Sequence, residues 1–299
     1  MRLRHIEVIQ ATLQTGALPT AAEHLQLTVD AAEQLLGEVE RELGFLLFAR
    51  VRGKLQATPE ARALQGGIEQ MFTDLDRLRQ QASALRQHQD PPLRVVSTAS
   101  LAQQLLPQSI AALRRRFRET PCHLSSQSTD AIVRSLLLHE SQVGLSLHAP
   151  QHPSLIQHPL ALGKLQLLAP HGWLQPRQKY VALQEMAGQA MVGLDGEDPL
   201  STTLDARLAA LRPAPVVQTR VQTYQMMRSM VEAGEGLAIV DPFTALGAKA
   251  AGLDVCPLAP AVPVTLYALM LKEHEPSAAL RTLLEIVAEQ ANAMLGNQA

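Results

Sequence analysis

The sequence predicts an α+β protein with several domains. Three patterns support this: short helices joined by tight turns over residues 1–58, a regular apolar repeat over 59–90, and alternating strands and helices over 91–299. At roughly 100–200 residues per domain, the length suffices for about two domains that each bury their own core.

The first domain begins with two short helices. Apolar residues at helical spacing predict a first helix from His5 to Thr15, and Gly16 ends it because glycine readily adopts the left-handed cap conformation. The sequence from Thr20 to Glu23 has the pattern of a capping box, in which a hydroxyl and a carboxylate satisfy free N–H groups reciprocally. We therefore expect the second helix to open at Thr20.

A third helix and a hairpin complete residues 1–58. Thr28 is the expected N-cap, and an apolar stripe from Ala32 to Leu43 predicts one buried face. Two helices joined by a short turn inside a three-helix unit have helix-turn-helix geometry. The hairpin that follows resembles a wing, and its basic residues are Arg50, Arg52 and Lys54.

The most regular periodicity of the chain follows Thr58-Pro59. Apolar residues recur at spacings of 4, 3, 4, 3, 4 and 3 with polar residues between them, which predicts a long linker helix over 59–90 with a coiled-coil dimer seam. The alternative is a helix packed against its own chain. Asp90-Pro91-Pro92 breaks the helix and marks a domain boundary. The seam residues are Leu64, Ile68, Met71, Leu75, Leu78, Ala82 and Leu85.

Strands and amphipathic helices alternate from Leu93 onward, which indicates an α/β domain. The predicted strands are 93–96, 122–126, 143–147, 189–194, 216–219 and 237–240. Hydroxyl-rich junctions, 97–100, 128–130 and 222–223, follow three of them. Each junction alone is compatible with an ordinary helix cap. Together they indicate donors converging at the carboxyl ends of strands, where α/β sheets bind small anions.

Charge and cysteine use exclude several classes of protein. The formal net charge of −2 gives no indication of a polyanionic partner. Cys122 and Cys256 lie outside any Cys-x-x-Cys spacing, which argues against a disulfide framework and a zinc site. No hydrophobic signal segment is evident, and three prolines in the uncharged stretch from Val255 to Leu271 disfavour a membrane helix. No catalytic motif is recognisable. We expect a cytoplasmic protein that is not an enzyme and has no metal, cofactor or membrane partner.

Each half of the chain contains specific sequence motifs. They are Leu3-Arg4-His5-Ile6-Glu7, Thr20-Ala21-Ala22-Glu23-His24-Leu25, Glu40-x-Glu42-Leu43-Gly44, Leu47-Phe48-x-Arg50, Arg52-Gly53, Thr58-Pro59 and the stretch from Met230 to Ala245. With them the chain resembles the LysR-type transcriptional regulators along nearly all its length. The last stretch is similar to the branch that contains the lysine-biosynthesis and opine-responsive regulators.

The resemblance implies a DNA-binding homodimer or homotetramer controlled by a small molecule. Its effector domain would have two lobes similar to periplasmic binding proteins, lobe I at about 93–164 plus 267–299 and lobe II at about 165–266. Effectors of the related branch tend to be amino acids or their derivatives. Hydroxyl and N–H groups of the protein would hold the carboxylate of such an effector, and Asp241 or Asp195 would pair with its amine. The implied effector residues are Ser97, Thr98, Ser100, Ser128, Thr129, Thr202, Thr223 and Asp241.

The third helix departs from the family pattern, which usually reads Ser-Gln-Pro-x-x-Ser and then basic residues. Residues 28–38 contain no Lys or Arg but three carboxylates, Asp30, Glu33 and Glu38. Carboxylates repel the phosphates of DNA. Acidic residues in the first turn of a helix also stabilise that helix, because they interact favourably with the positive end of its dipole. Either Glu33 accepts a hydrogen bond from a cytosine amino group, or DNA contact is weakened or lost. The expected DNA-binding residues are Thr28, Val29, Asp30, Glu33, Gln34, Arg50, Arg52 and Lys54.

The sequence therefore favours an effector-controlled promoter-binding regulator. We expect its DNA affinity to lie below the usual specific range and to depend steeply on salt. The alternative is a ligand-sensing or protein-interacting module of the same fold without its own operator. A solute-binding protein or transferase would leave the helix-turn-helix and the heptads unexplained.

Overall fold

The computed structural model describes residues 1–51, 54–86, 92–195, 199–273 and 275–296. The chain divides into two compact units, residues 1–91 and 92–299. The helices are α1 (Leu3–Thr15), α2 (Leu18–His24), α3 (Val29–Leu43), α4 (Pro59–Arg86), α5 (Ala99–Gln104), α6 (Leu106–Leu113), α7 (Thr129–Leu137), α8 (Pro199–Ala209), α9 (Tyr224–Glu232) and α10 (Ala278–Gly296).

The strands complete the fold. They are β1 (Phe48–Val51), β2 (Lys54–Ala57), β3 (Leu93–Ser97), β4 (Cys122–Ser126), β5 (Val143–Ser146), β6 (Leu155–Lys164), β7 (Gln166–Pro170), β8 (Val181–Ala182), β9 (Ala190–Leu194), β10 (Val216–Val221), β11 (Ala238–Val240), β12 (Leu253–Ala259) and β13 (Pro263–Leu271). The six strands predicted from the sequence are confirmed to within two residues at each end.

The first unit is a three-helix core with an antiparallel hairpin, β1 with β2. Thr28 caps α3 as predicted, since its Oγ1 accepts the Ala31 N–H at 3.2 Å. The predicted start of the second helix at Thr20 is wrong. Helix α2 begins at Leu18, because Pro19 in its first turn has a pre-set φ and no N–H to satisfy.

The start and the apolar face of α4 are well defined. Thr58 Oγ1 accepts the Ala61 N–H at 3.2 Å, so the helix opens where the sequence predicts. Ile68 is buried in the core of its own unit, whereas Leu64 and Leu78 are exposed. Ile68 and, in part, Met71 are thus covered by the same chain, as in the alternative prediction. The side chains of Ala82 and Leu85, and residues Asp90 and Pro91, lie outside the described residues.

The second unit consists of two α/β lobes. We call lobe I the five-stranded sheet, in the order β4-β3-β5-β13-β6, with helices α5, α6, α7 and α10. We call lobe II the sheets β11-β7-β12-β8 and β10-β9 with helices α8 and α9. Strand β13 returns the chain to lobe I and pairs antiparallel with both β5 and β6. The largest apolar core includes residues of both lobes, and each lobe also has a smaller core of its own.

Candidate effector site and DNA-binding face

A cavity of about 800 Å³ opens between the lobes. Lobe I contributes residues 98–100, 126–130 and 147–150, and lobe II contributes 194–195 and 222–224. These segments follow the carboxyl ends of strands β3, β4, β5, β9 and β10. The volume lies within the range of small-molecule sites, which are about 300–1,000 Å³.

The convergence of hydroxyl-rich junctions that the sequence predicts is present in the structure. Five implied effector residues line the cavity: Thr98, Ser100, Ser128, Thr129 and Thr223. They come from junctions far apart in sequence, and both lobes contribute. Their role as effector ligands stays a prediction.

The other three implied residues do not line the cavity. Ser97 is buried at the end of β3, where its hydroxyl donates to the Thr98 carbonyl at 3.2 Å. Thr202 lies on an exposed face of α8. Asp241 is buried behind the cavity lining, where its side chain accepts a backbone hydrogen bond in the turn after β11.

The Asp241 carboxylate is occupied by its own turn. Its Oδ1 accepts the N–H groups of Phe243 at 2.8 Å and Thr244 at 3.0 Å, and Thr244 Oγ1 donates to Oδ2 at 2.5 Å. The Ser100 hydroxyl also bonds to this carboxylate. Burial raises the pKa of Asp241, and these hydrogen bonds oppose the shift. Asp241 therefore positions the cavity residue Ser100 and is not itself available to an amine.

The cavity hydroxyls differ in what they already bind. Ser128 and Thr223 cap helices α7 and α9, accepting the N–H groups of Ala131 at 3.4 Å and Met226 at 3.2 Å. Thr98 precedes α5 but forms no such cap. Among the described residues, Thr98 Oγ1 and Gln127 Oε1 are buried side-chain atoms with no hydrogen-bond partner. Such atoms are rare in folded proteins, and both belong to residues that line the cavity.

Several lining residues were not singled out from the sequence. They include Gln127 just before a predicted junction, Tyr224 just after another, and residues 147–150 at the end of β5. The last group follows a predicted strand, so its position at a carboxyl strand end was the available indication. Asp195, one of the two candidate amine partners, does line the cavity.

The described part of the chain contains no group of three or more His, Cys, Asp or Glu side chains that could hold a metal ion. No described helix combines the length and apolar character that a bilayer crossing requires.

Helix α3 exposes the face predicted to meet DNA. Thr28, Val29, Asp30, Glu33 and Gln34 are all exposed. The opposite face, which includes Ala32, Leu36 and Val39, is buried in the core of the unit.

Carboxylates on α3 have partners within their own unit. Arg50 on β1 lies 3.9 Å from Glu33, measured between Nη2 and Oε1, and both side chains are exposed. Gln34 donates to Glu38 at 3.0 Å, and His5 Nε2 lies 3.4 Å from the same carboxylate. These contacts, the Gln34 hydrogen bond foremost, lower the pKa of Glu38. Arg52 lies outside the described residues, as does the side chain of Lys54.

A winged helix-turn-helix unit followed by two lobes around a polar cavity defines a ligand-responsive transcription regulator. Residues 3–62 match the bacterial regulatory helix-turn-helix proteins of the lysR family, and residues 86–292 match the LysR substrate binding domain. The chain belongs to the LysR family. It is a transcription regulator with an effector-binding domain, and not an enzyme.

Individual relatives agree with this assignment. The transcriptional activator protein LysR of Escherichia coli is 27% identical over 282 residues, which are 94% of this chain and 90% of the relative. The octopine catabolism/uptake operon regulatory protein OccR of Rhizobium meliloti is 20% identical over 249 residues, 83% of this chain and 82% of the relative. The structure of full-length CbnR complexed with its target DNA aligns with a TM-score of 0.73 at 18% identity, covering 97% of this chain and all of the other. The predicted family and branch are confirmed.

Proposed function

We propose that this regulator binds an amino acid or a close derivative between its lobes and that this binding changes how it engages promoter DNA. The cavity carries the proposal: hydroxyl groups, helix N-termini and carboxylates line one space of about 800 Å³. A zwitterion needs both kinds of partner, donors for its carboxylate and an acceptor for its ammonium group. The octopine named for OccR, an amino acid derivative, supports the same class.

Both lobes contribute donors to the cavity, and the proposed acceptor, Asp195, lies in lobe II. Helices α7 and α9 both begin at it, and helix N-termini favour anions. Thr98 adds a hydroxyl with no partner among the described residues, so a ligand carboxylate there satisfies a buried group. Asp195 takes the ammonium group from lobe II. The ligand therefore contacts both lobes and stabilises one arrangement of them over others.

DNA binding in this proposal uses the exposed face of α3 and the hairpin. The Glu33–Arg50 contact partly neutralises the carboxylate that would repel phosphates, and it also reduces the positive charge that the hairpin offers. We expect promoter affinity to be weaker than the usual specific range of about 10⁻⁸–10⁻¹¹ M at physiological salt. Because α3 is acidic, a second candidate function remains, that of a ligand-sensing module whose DNA contact is weakened or lost.

Self-association in this proposal uses α4. Leu64 and Leu78 are 38% and 62% exposed, which is unusual for leucines that recur in a heptad pattern. We propose that they meet a second copy of the helix in a homodimer. Ile68 is buried in its own unit and contributes little to that seam.

A gel-shift titration on the DNA upstream of the protein's own gene tests the proposal. We expect binding at low salt that falls steeply with added salt and changes when amino acids are supplied. Absence of both binding and ligand-dependent change across low and moderate salt would refute it. The variant Glu33→Ala separates the two candidates. Tighter binding supports repulsion by Glu33, whereas loss of a footprint that persists at physiological salt shows that Glu33 reads a base.

A further inference from the structure

Carboxylates outnumber basic side chains in the lining of the cavity between the lobes. Two carboxylates, Asp130 in lobe I and Asp195 in lobe II, line it together with His148, and none of the described lining residues is Lys or Arg. A plain zwitterionic amino acid carries no net charge, so its ammonium group can pair with only one of the two carboxylates. An anionic ligand would find no Lys or Arg to pair with there.

Both carboxylates lack partners of their own. Neither Asp130 nor Asp195 forms an ion pair or a side-chain hydrogen bond within the described ranges, and both are exposed. Acids elsewhere in lobe II do have partners, such as Asp205 with Arg220 at 3.2 Å and Glu232 with Arg228 at 2.8 Å. Ligand binding between the lobes takes both free carboxylates out of water, which is unfavourable unless cations accompany them.

An independent observation indicates an unmet hydrogen-bond acceptor near Asp130. Gln127, three residues earlier in the chain, has a buried Oε1 with no donor among the described residues. An amide oxygen can only accept a hydrogen bond, so its missing partner is an N–H or O–H donor, and an ammonium or guanidinium group supplies several. Asp130 and Gln127 thus offer two acceptors on the lobe I side, where a group with several N–H donors fits.

We propose that the effector is an α-amino acid with a basic side chain, so that it carries two cations and one carboxylate. Asp195 pairs the α-ammonium group from lobe II, and Asp130 with Gln127 Oε1 binds the side-chain cation from lobe I. This inference rests on the proposed function, since it names the class of effector for the same cavity. Each lobe then holds one cation, and the ligand joins the lobes only when both cations are present.

Calorimetric titration of the full-length protein with matched ligand pairs tests the inference. L-lysine and L-norleucine have side chains of nearly equal length that differ in the terminal ammonium group, and L-arginine and L-citrulline form a second pair. We expect the basic member of at least one pair to bind at least tenfold tighter, a difference of about 1.4 kcal/mol. Equal affinities within both pairs overturn the inference and leave the proposed function intact. Failure of all four to bind overturns both.

Charge-neutral variants locate the two cations. Asp130→Asn should abolish the preference for the basic ligand while affinity for its neutral partner stays unchanged. Asp195→Asn should weaken both members of the pair alike, because both have an α-ammonium group. Glu119→Gln in lobe I and Glu235→Gln in lobe II are matched controls, since they remove the same charge from exposed positions outside the cavity. A preference that survives Asp130→Asn, or that falls equally in the controls, contradicts the assignment.

Discussion

Asp241 allows a quantitative test of how the effector domain is held together. The carboxylate is fully buried and accepts hydrogen bonds from two backbone N–H groups, of Phe243 and Thr244, and from the Thr244 hydroxyl. Replacement by alanine removes all of these acceptors at once. Replacement by asparagine keeps an oxygen for the two N–H groups, and the hydroxyl can rotate to accept from the new amide.

The magnitude follows from the groups left unpaired. A buried donor without a partner costs about 1–3 kcal/mol, and Asp241→Ala leaves two backbone donors in that condition. The alanine variant no longer has to bury a carboxylate, and this gain in stability offsets part of the loss. We therefore expect Asp241→Ala to lower the free energy of unfolding by about 2–4 kcal/mol and Asp241→Asn by less than about 1 kcal/mol.

Urea unfolding followed by tryptophan fluorescence measures the difference. Trp173 is the single tryptophan of the chain and packs against the core of the second unit, so it reports on the unit that contains Asp241. The alanine variant should move the urea midpoint down by roughly 1 M. Equal stability of wild type and Asp241→Ala would show that the turn does not depend on this carboxylate and would refute the reasoning.

The pH dependence of the same pair has a defined sign. Burial raises the pKa of Asp241 in the folded protein above its pKa in the unfolded chain. At a pH between these two pKa values, the folded state therefore binds more protons than the unfolded state. That contribution to stability is complete below the unfolded value of about 3.9 and is lost as the pH rises through the raised folded value. The stability of wild type relative to Asp241→Asn should therefore decrease as the pH rises from about 4 across this window. An increase over the same window would contradict the assigned shift.

Four further substitutions test local features of the fold. Gly37→Ala in α3 should stabilise the first unit by about 0.5–1 kcal/mol in thermal unfolding followed by circular dichroism, since an added Cβ has no atom within 4 Å; a loss contradicts this. Ile68→Ala should destabilise the same unit by about 2–4 kcal/mol, whereas Leu78→Ala should change its stability little and lower the sedimentation-derived dimer fraction; reversed effects would refute the proposed seam. Gly236→Ala should reduce stability by more than about 2 kcal/mol in urea unfolding, because φ is +121° and the added Cβ lies 2.4 Å from the Ala190 carbonyl oxygen. A neutral result would show that this loop relaxes freely.

Much of the architecture could be predicted because local patterns and tertiary packing agree in it. Strands such as β3 and β5 are short, mostly apolar runs that pair parallel with each other and are largely buried, and these runs are visible without any partner. The missed strands β6, β12 and β13 contain prolines, which argue against strands from sequence alone. The structure accommodates them at special positions, Pro263 at the first residue of β13 and Pro159 beside an irregularity in the register of the edge strand β6.

The site could be predicted in outline but not residue by residue. The hydroxyls of Thr98, Ser128 and Thr223 mark strand-to-helix junctions, and the topology does bring those junctions together. The family resemblance implies that Asp241 binds the effector. Its side chain instead accepts bonds from its own turn and from Ser100, a choice that depends on burial and local geometry and that no spacing reveals.

The central claim is that a ligand held between the lobes controls DNA binding by the whole chain. Thr98→Val tests it most directly, because valine has nearly the same shape and removes a buried hydroxyl with no partner among the described residues. We would measure the fluorescence anisotropy of labelled upstream DNA as a basic amino acid is added, for wild type and Thr98→Val. The account predicts equal DNA affinity without ligand and a response that needs at least tenfold more ligand in the variant. A response at the same ligand concentration in both proteins would contradict it.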